Sequence, residues 1–136
     1  MEMDCIDVPL RVRYADTDMM GIVYYGAYPV YFEVARSEYM REKGFSYRKF
    51  EDMGYRLVVS AIEIKYYNPA LYDDLLQVRT TVSDIQSRGL AFTYHILKDG
   101  ITVARGKTRH ICVNSDRKPT RIPPSLLQVL KNDGLQ

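Results

Sequence analysis

One stretch of the chain repeats large apolar residues at helical spacing, and it dictates what the remaining segments must supply. Tyr28, Tyr31, Phe32, Ala35 and Tyr39 fall on a single stripe, while Glu33, Arg36, Ser37, Arg41 and Glu42 point largely elsewhere. The spacing predicts a helix over residues 26–43. Pro29 belongs to its first turn, where a missing N–H does no harm. Gly44 supplies the stop, as a residue that tolerates a left-handed backbone. Burying such a stripe contributes about 1.5–3 kcal/mol per large side chain before entropy is subtracted. The helix therefore needs a concave apolar partner.

Strands must provide it. Val8, Leu10, Val12 and Tyr14 alternate with Pro9, Arg11 and Arg13, which predicts a short strand with one buried face and Pro9 near its start or on its free edge. Ser46 is placed to cap a short second helix ending near Met53, closed by Gly54. From there the chain reads as strands. Residues 57–67 alternate at their end and stop at Asn68-Pro69. Residues 75–86 put Leu76, Val78, Thr80 and Val82 on one face. Ser87-Arg88-Gly89 turns into residues 90–98, and Asp99-Gly100 is a strong hairpin signal leading into residues 101–113. These last three strands predict an antiparallel meander. Pro123-Pro124 then opens a C-terminal helix with Leu126, Leu127 and Leu130 on its apolar side. A strand, one long helix and an uninterrupted run of strands point to an α+β fold. A strongly twisted sheet curled around the helix is the simplest packing.

Composition narrows the functional classes. The 136 residues suit one domain, with residues 1–6 and 132–136 expected as tails. A net charge of +2 is too near balance to argue for nucleic acid. No run approaches the ~18 apolar residues of a membrane span. The first residues are acidic and lack a signal-peptide pattern, so a cytoplasmic protein is expected. Cys5 and Cys112 make neither a disulfide framework nor a metal motif. His110 and Cys112 alternate within a strand, away from any helix start, which reads as core rather than as a thiol nucleophile. Tyrosine is the unusual component: 12 Tyr against 4 Phe and no Trp, with six of the tyrosines between Tyr14 and Tyr39. Such residues suit a core edge, a ligand slot or a subunit contact.

Two acids stand between the first strand and the helix. Asp16 and Asp18 have ordinary uses in turns and caps. Position gives Asp18 a further one. Unpaired N–H groups and the helix dipole at a helix start favour negative charge, and a reaction that develops an oxyanion wants such donors. A carboxylate beside them supplies a base or nucleophile without histidine or metal. Other two-acid chemistries fit less well. The segment lacks the Gly of an aspartic-protease turn, a glycosidase pair comes from separate elements, and Met19-Met20-Gly21-Ile22 does not continue a calcium loop.

The run from Tyr14 to Tyr28 (YADTDMMGIVYYGAY), followed by Tyr31-Phe-Glu-Val-Ala-Arg36, resembles the signature of the YbgC-like and 4-hydroxybenzoyl-CoA thioesterases. The resemblance continues through Tyr66-Tyr-Asn-Pro-Ala70 and Asp73-Asp74 and covers about residues 8–130. It implies the hotdog fold, an antiparallel sheet wrapped around one long helix. It also implies an acyl-CoA thioesterase needing no separate cofactor and no metal, since coenzyme A is part of the substrate. By the same resemblance Asp18 is the catalytic carboxylate, as nucleophile or as base toward water. The backbone N–H of Tyr25 is the oxyanion donor, and Asp16 shapes the loop. YbgC-like members often carry His where Tyr25 stands; the 4-hydroxybenzoyl type has Tyr. Tyr24 and Tyr28 are expected to line the acyl slot. Family sites lie where subunits meet, which makes Ser60 a candidate contact to substrate and predicts a homodimer, often doubled to a homotetramer. Arg88, in the turn where the family binds phosphate, is the candidate for the CoA phosphates, and Arg105, Lys107 and Arg109 share a strand face that is either solvated or phosphate-binding. Hydrolysis of acyl carrier protein thioesters, and acyl-carrier or protein binding without hydrolysis, are the alternatives on the same fold.

Overall fold

The computed structural model describes residues 5–131. The stripe folds as expected. A 3-10 turn at Tyr25–Ala27 leads into helix α1, Tyr28–Glu42. Tyr28, Tyr31, Phe32, Ala35, Tyr39 and Met40 are buried along it. Ser46 caps α2 (Tyr47–Asp52) by accepting the Lys49 N–H at 3.1 Å.

Five strands form one antiparallel sheet. They are β1 (Ile6–Arg11), β2 (Arg56–Tyr66), β3 (Leu75–Ser83), β4 (Gly89–Lys98) and β5 (Ile101–Val113), in the order β1-β3-β4-β5-β2. The predicted meander is β3-β4-β5. Asp99 and Gly100 both adopt positive φ, 49° and 80°, as the tight turn between β4 and β5 requires. Leu76, Val78, Thr80 and Val82 of β3 are all buried against the helix side. Helix α3 (Pro124–Lys131) buries Leu126 and Leu130. One long helix held by a curled antiparallel sheet is the α+β hotdog arrangement.

The first strand is placed earlier than its alternation suggests. It begins at Ile6, which pairs with Thr80, so Ile6 belongs to the sheet rather than to a tail. It ends at Arg11, and Tyr14, expected on the buried face, is exposed in a 3-10 turn at Tyr14–Asp16. Hydrogen bonds from the Arg13 N–H and guanidinium to the Asp16 carboxylate pull the chain into that turn. The expected tail 132–136 lies outside the described residues.

Strand β2 takes an edge, pairing among the described residues only with β5, and Val58, Val59 and Ile62 stay exposed on it. Its register shifts between Val59 and Ala61, so Ser60 is the extra residue of a β-bulge.

One helix side chain reaches the sheet backbone at Gly106. A Cβ there would lie 2.3 Å from the Phe32 ring, and Phe32 is fully buried and stacked on Tyr94 with centroids 4.1 Å apart. Only a missing side chain admits that ring. Gly106→Ala is expected to lower stability by about 1–3 kcal/mol through overpacking. A fall in the denaturant midpoint at unchanged slope is the readout, with partial recovery when Phe32→Leu is added.

Candidate active site

Asp16 builds the site without facing it. Its side chain is 5% exposed. It accepts the Arg13 N–H at 3.0 Å, the Arg13 guanidinium at 2.8 Å and the Tyr31 hydroxyl at 2.8 Å. Burial alone would raise its pKa; those three donors outweigh it and hold the carboxyl below its ordinary value. The Asp16 carbonyl also takes the Tyr24 N–H at 2.8 Å. The segment leaving Asp16 and the segment entering the helix therefore run side by side.

The loop between them is a small hairpin. Thr17 bridges Val23, the Asp18 N–H donates to the Ile22 carbonyl at 2.9 Å, and the Gly21 N–H donates to the Asp18 carbonyl at 2.9 Å. Gly21 has φ 79°, a left-handed conformation that glycine adopts without strain. The outer side of this hairpin is fastened to residues 70–71, through the Val23 N–H to the Ala70 carbonyl and the Ile22–Leu71 bridge. Asp18 is exposed, and its Oδ1 accepts the Met20 N–H at 2.9 Å.

An open cleft of about 410 Å³ results. Asp18, Tyr25 and Tyr28 line it together with Tyr66, Tyr67 and Asn68. The 3-10 turn begins at Tyr25, so the N–H groups of Tyr25 and Gly26 have no hydrogen-bond partner among the described residues. Tyr28 forms the floor. It is buried, with its ring edge-on to Tyr66 at 5.2 Å, and burial, with Tyr66 nearby, pushes its phenol up to about 12. It stays a neutral hydroxyl at physiological pH.

Of the residues singled out from the sequence, the fold brings Asp18, Tyr25 and Tyr28 to one cleft. Tyr24 packs against Tyr25 with its ring tilted 44° and centroids 4.6 Å apart, but does not line that cleft. Ser60 and Arg88 line a separate cleft of about 350 Å³ with Asp84, Arg109 and Pro119. There the Ser60 hydroxyl donates to the Arg109 carbonyl at 3.3 Å. Lys107 and Arg109 share Asp84, at 2.6 and 3.4 Å. Two of the three cations on that strand face are thus already paired. Tyr66, Tyr67 and Asn68 were not assigned roles by the sequence; Asn68-Pro69 carries a strand-breaking signal that says nothing of a cleft wall.

His110 and Cys112 are core residues. Burial raises the Cys112 thiol to about 11, away from nucleophilic use. His110 Nε2 lies 2.8 Å from the Thr108 hydroxyl, which meets the Tyr94 hydroxyl at 2.7 Å. Burial, then the Arg36 charge, lowers His110 to about 4.

The chain is similar to known proteins along most of its length. Residues 12–130 match the family described as Thioesterase-like superfamily. A putative esterase of Aquifex aeolicus is 38% identical over 122 residues, 90% of this chain and 94% of that protein. The acyl-CoA thioester hydrolase YbgC of Escherichia coli O6:H1 is 31% identical, over 90% of this chain and 93% of that protein. The crystal structure of a hypothetical protein from Thermus thermophilus superposes with a TM-score of 0.90 at 32% identity, covering 93% of this chain and 98% of that one.

The His110 shift has a signed consequence. The unfolded chain binds a proton near pH 6.5, whereas the folded chain refuses it until about pH 4. Stability from this residue is complete above pH 6.5 and falls as pH drops toward 4, by about 3 kcal/mol at ~1.4 kcal/mol per pKa unit. Urea midpoints recorded from pH 7 to 4 are expected to decline, with a shallower decline in His110→Gln.

Proposed function

This chain belongs to the thioesterase-like superfamily, and on that premise we propose that it hydrolyses acyl-CoA thioesters to coenzyme A and a carboxylic acid. The observation that carries the reading is a carboxylate and an amide-bearing helix entrance lining one apolar cleft. Asp18 either attacks the thioester carbonyl carbon, giving an acyl anhydride that water then cleaves, or takes a proton from the water that attacks. Both routes pass through a tetrahedral oxyanion. The Tyr25 N–H holds that oxygen, aided by the positive end of α1. The thiolate of coenzyme A leaves and is protonated by water. The reaction asks for no cofactor beyond the CoA already in the substrate. Tyr28 and its aromatic neighbours supply the acyl slot, with Tyr24 buttressing Tyr25.

Strand β2 supports a homo-oligomer. An edge eleven residues long with exposed Val58, Val59 and Ile62 invites pairing. A second copy on that edge covers it and brings Ser60 into the contact, with Arg88 near the mouth for phosphate. Light scattering is expected to give a dimer or its doubled tetramer, and Ile62→Asp a monomer.

A cytoplasmic location accords with two free thiols, exposed Cys5 and buried Cys112. Among the described residues no helix is long and apolar enough to cross a membrane.

Asp18→Asn is expected to keep the fold and lose about a hundred- to ten-thousand-fold in kcat/KM. Thiol release is followed with a dye across acyl-CoAs of graded length and benzoyl types. Undiminished release in Asp18→Asn refutes the assignment. Binding without release favours a non-hydrolytic acyl-carrier module, and faster turnover of a matched acyl carrier protein thioester favours the carrier as substrate.

A further inference from the structure

We propose that Tyr66 is a positioning residue, aiming the main chain that holds the oxyanion through its hydrogen bond to the Tyr25 carbonyl. The inference rests on the reading of the Tyr25 N–H as oxyanion donor.

Such a donor works only when it is aimed before the charge develops; otherwise reorientation consumes the stabilisation. The upstream side of Tyr25 is aimed by main-chain bonds. The Tyr24 N–H is held by the Asp16 carbonyl at 2.8 Å, and the Tyr24 carbonyl accepts the Ala27 N–H at 2.9 Å. The downstream side has, beyond the i→i+3 bonding of the 3-10 turn itself, one further restraint. The next residue is Gly26, which brings no side chain to restrain the peptide and whose N–H is unpaired among the described residues. The Tyr66 hydroxyl donates to the carbonyl of this Tyr25–Gly26 peptide at 3.1 Å. Among the described residues it is the one side-chain hydrogen bond to the main chain of residues 24–27.

The hydroxyl is itself well held. Tyr66 is the last residue of β2, so its backbone is fixed by the sheet, and its ring packs edge-on against buried Tyr28. Burial, and then the neighbouring Tyr25, keeps its phenol above the ordinary value, so it stays a donor. The carbonyl it holds belongs to the same residue as the donor N–H, so Tyr66 restrains Tyr25 from the side opposite the Tyr24 peptide, and the Gly26 N–H, across the planar bond from that carbonyl, reports on the restraint. Tyr66 thus connects the sheet edge to the helix entrance across the cleft, and removing one oxygen atom releases that connection while leaving the ring in place.

Tyr66→Phe isolates the effect. Relative to wild type, kcat is expected to fall about tenfold, short of the 10²–10³ lost when an oxyanion donor itself is removed. KM should stay within twofold, because the acyl slot keeps its ring. In ¹⁵N-labelled protein the Gly26 amide resonance should shift, since its peptide loses the donor at its carbonyl. Wild-type kcat in Tyr66→Phe, a change confined to KM, or an unmoved Gly26 resonance overturns the proposal. Asp18→Asn, run alongside, separates the two readings. A fully active Tyr66→Phe beside a dead Asp18→Asn removes the positioning role and leaves the hydrolase standing; a wild type that releases no thiol from any acyl-CoA removes both.

Discussion

The site depends on one buried carboxylate that takes no part in it. Asp16 is a charge removed from water, which is costly unless donors surround it. It finds them on three sides, at the Arg13 N–H, the Arg13 guanidinium and the Tyr31 hydroxyl, the last reaching from the helix. Its own carbonyl holds Tyr24. One residue thereby fixes the turn before the loop, a side chain on the helix and the peptide entering the helix. Asp18 and Tyr25 inherit their proximity from it. The two acids of the Asp-Thr-Asp run differ in surroundings: one is satisfied and inward, the other is exposed and lines the cleft.

Local signals were enough for the elements. The tyrosine stripe, the Ser46 cap and the Asp-Gly hairpin each state a short-range preference, and each is realised where the sequence implies it. Tyr14 shows where alternation misleads, because the period-two pattern runs on while the Arg13–Asp16 bonds bend the backbone away. The bulge at Ser60 and the edge position of β2 depend on which strands neighbour one another, which no local window contains.

The candidate site was legible in part for the same reason. Asp18 and the helix start are close in sequence, so their chemistry could be read together. Tyr66 is 41 residues from Tyr25, and its hydrogen bond to the Tyr25 carbonyl forms only after β2 and α1 have packed. Ser60 and Arg88 sit together on a cleft separate from the one Asp18 lines, a placement that no local window of sequence contains.

The contact between Phe32 and Gly106 also constrains how such a sequence drifts. A bulkier residue at 106 meets an aromatic ring head-on, while a smaller residue at 32 leaves a void beside Tyr94. Neither position is free to wander alone. The two are expected to mutate as a correlated pair, with a lineage reaching a new combination only through an intermediate that is either crowded or hollow, and that barrier helps preserve the depth at which the helix sits in its sheet.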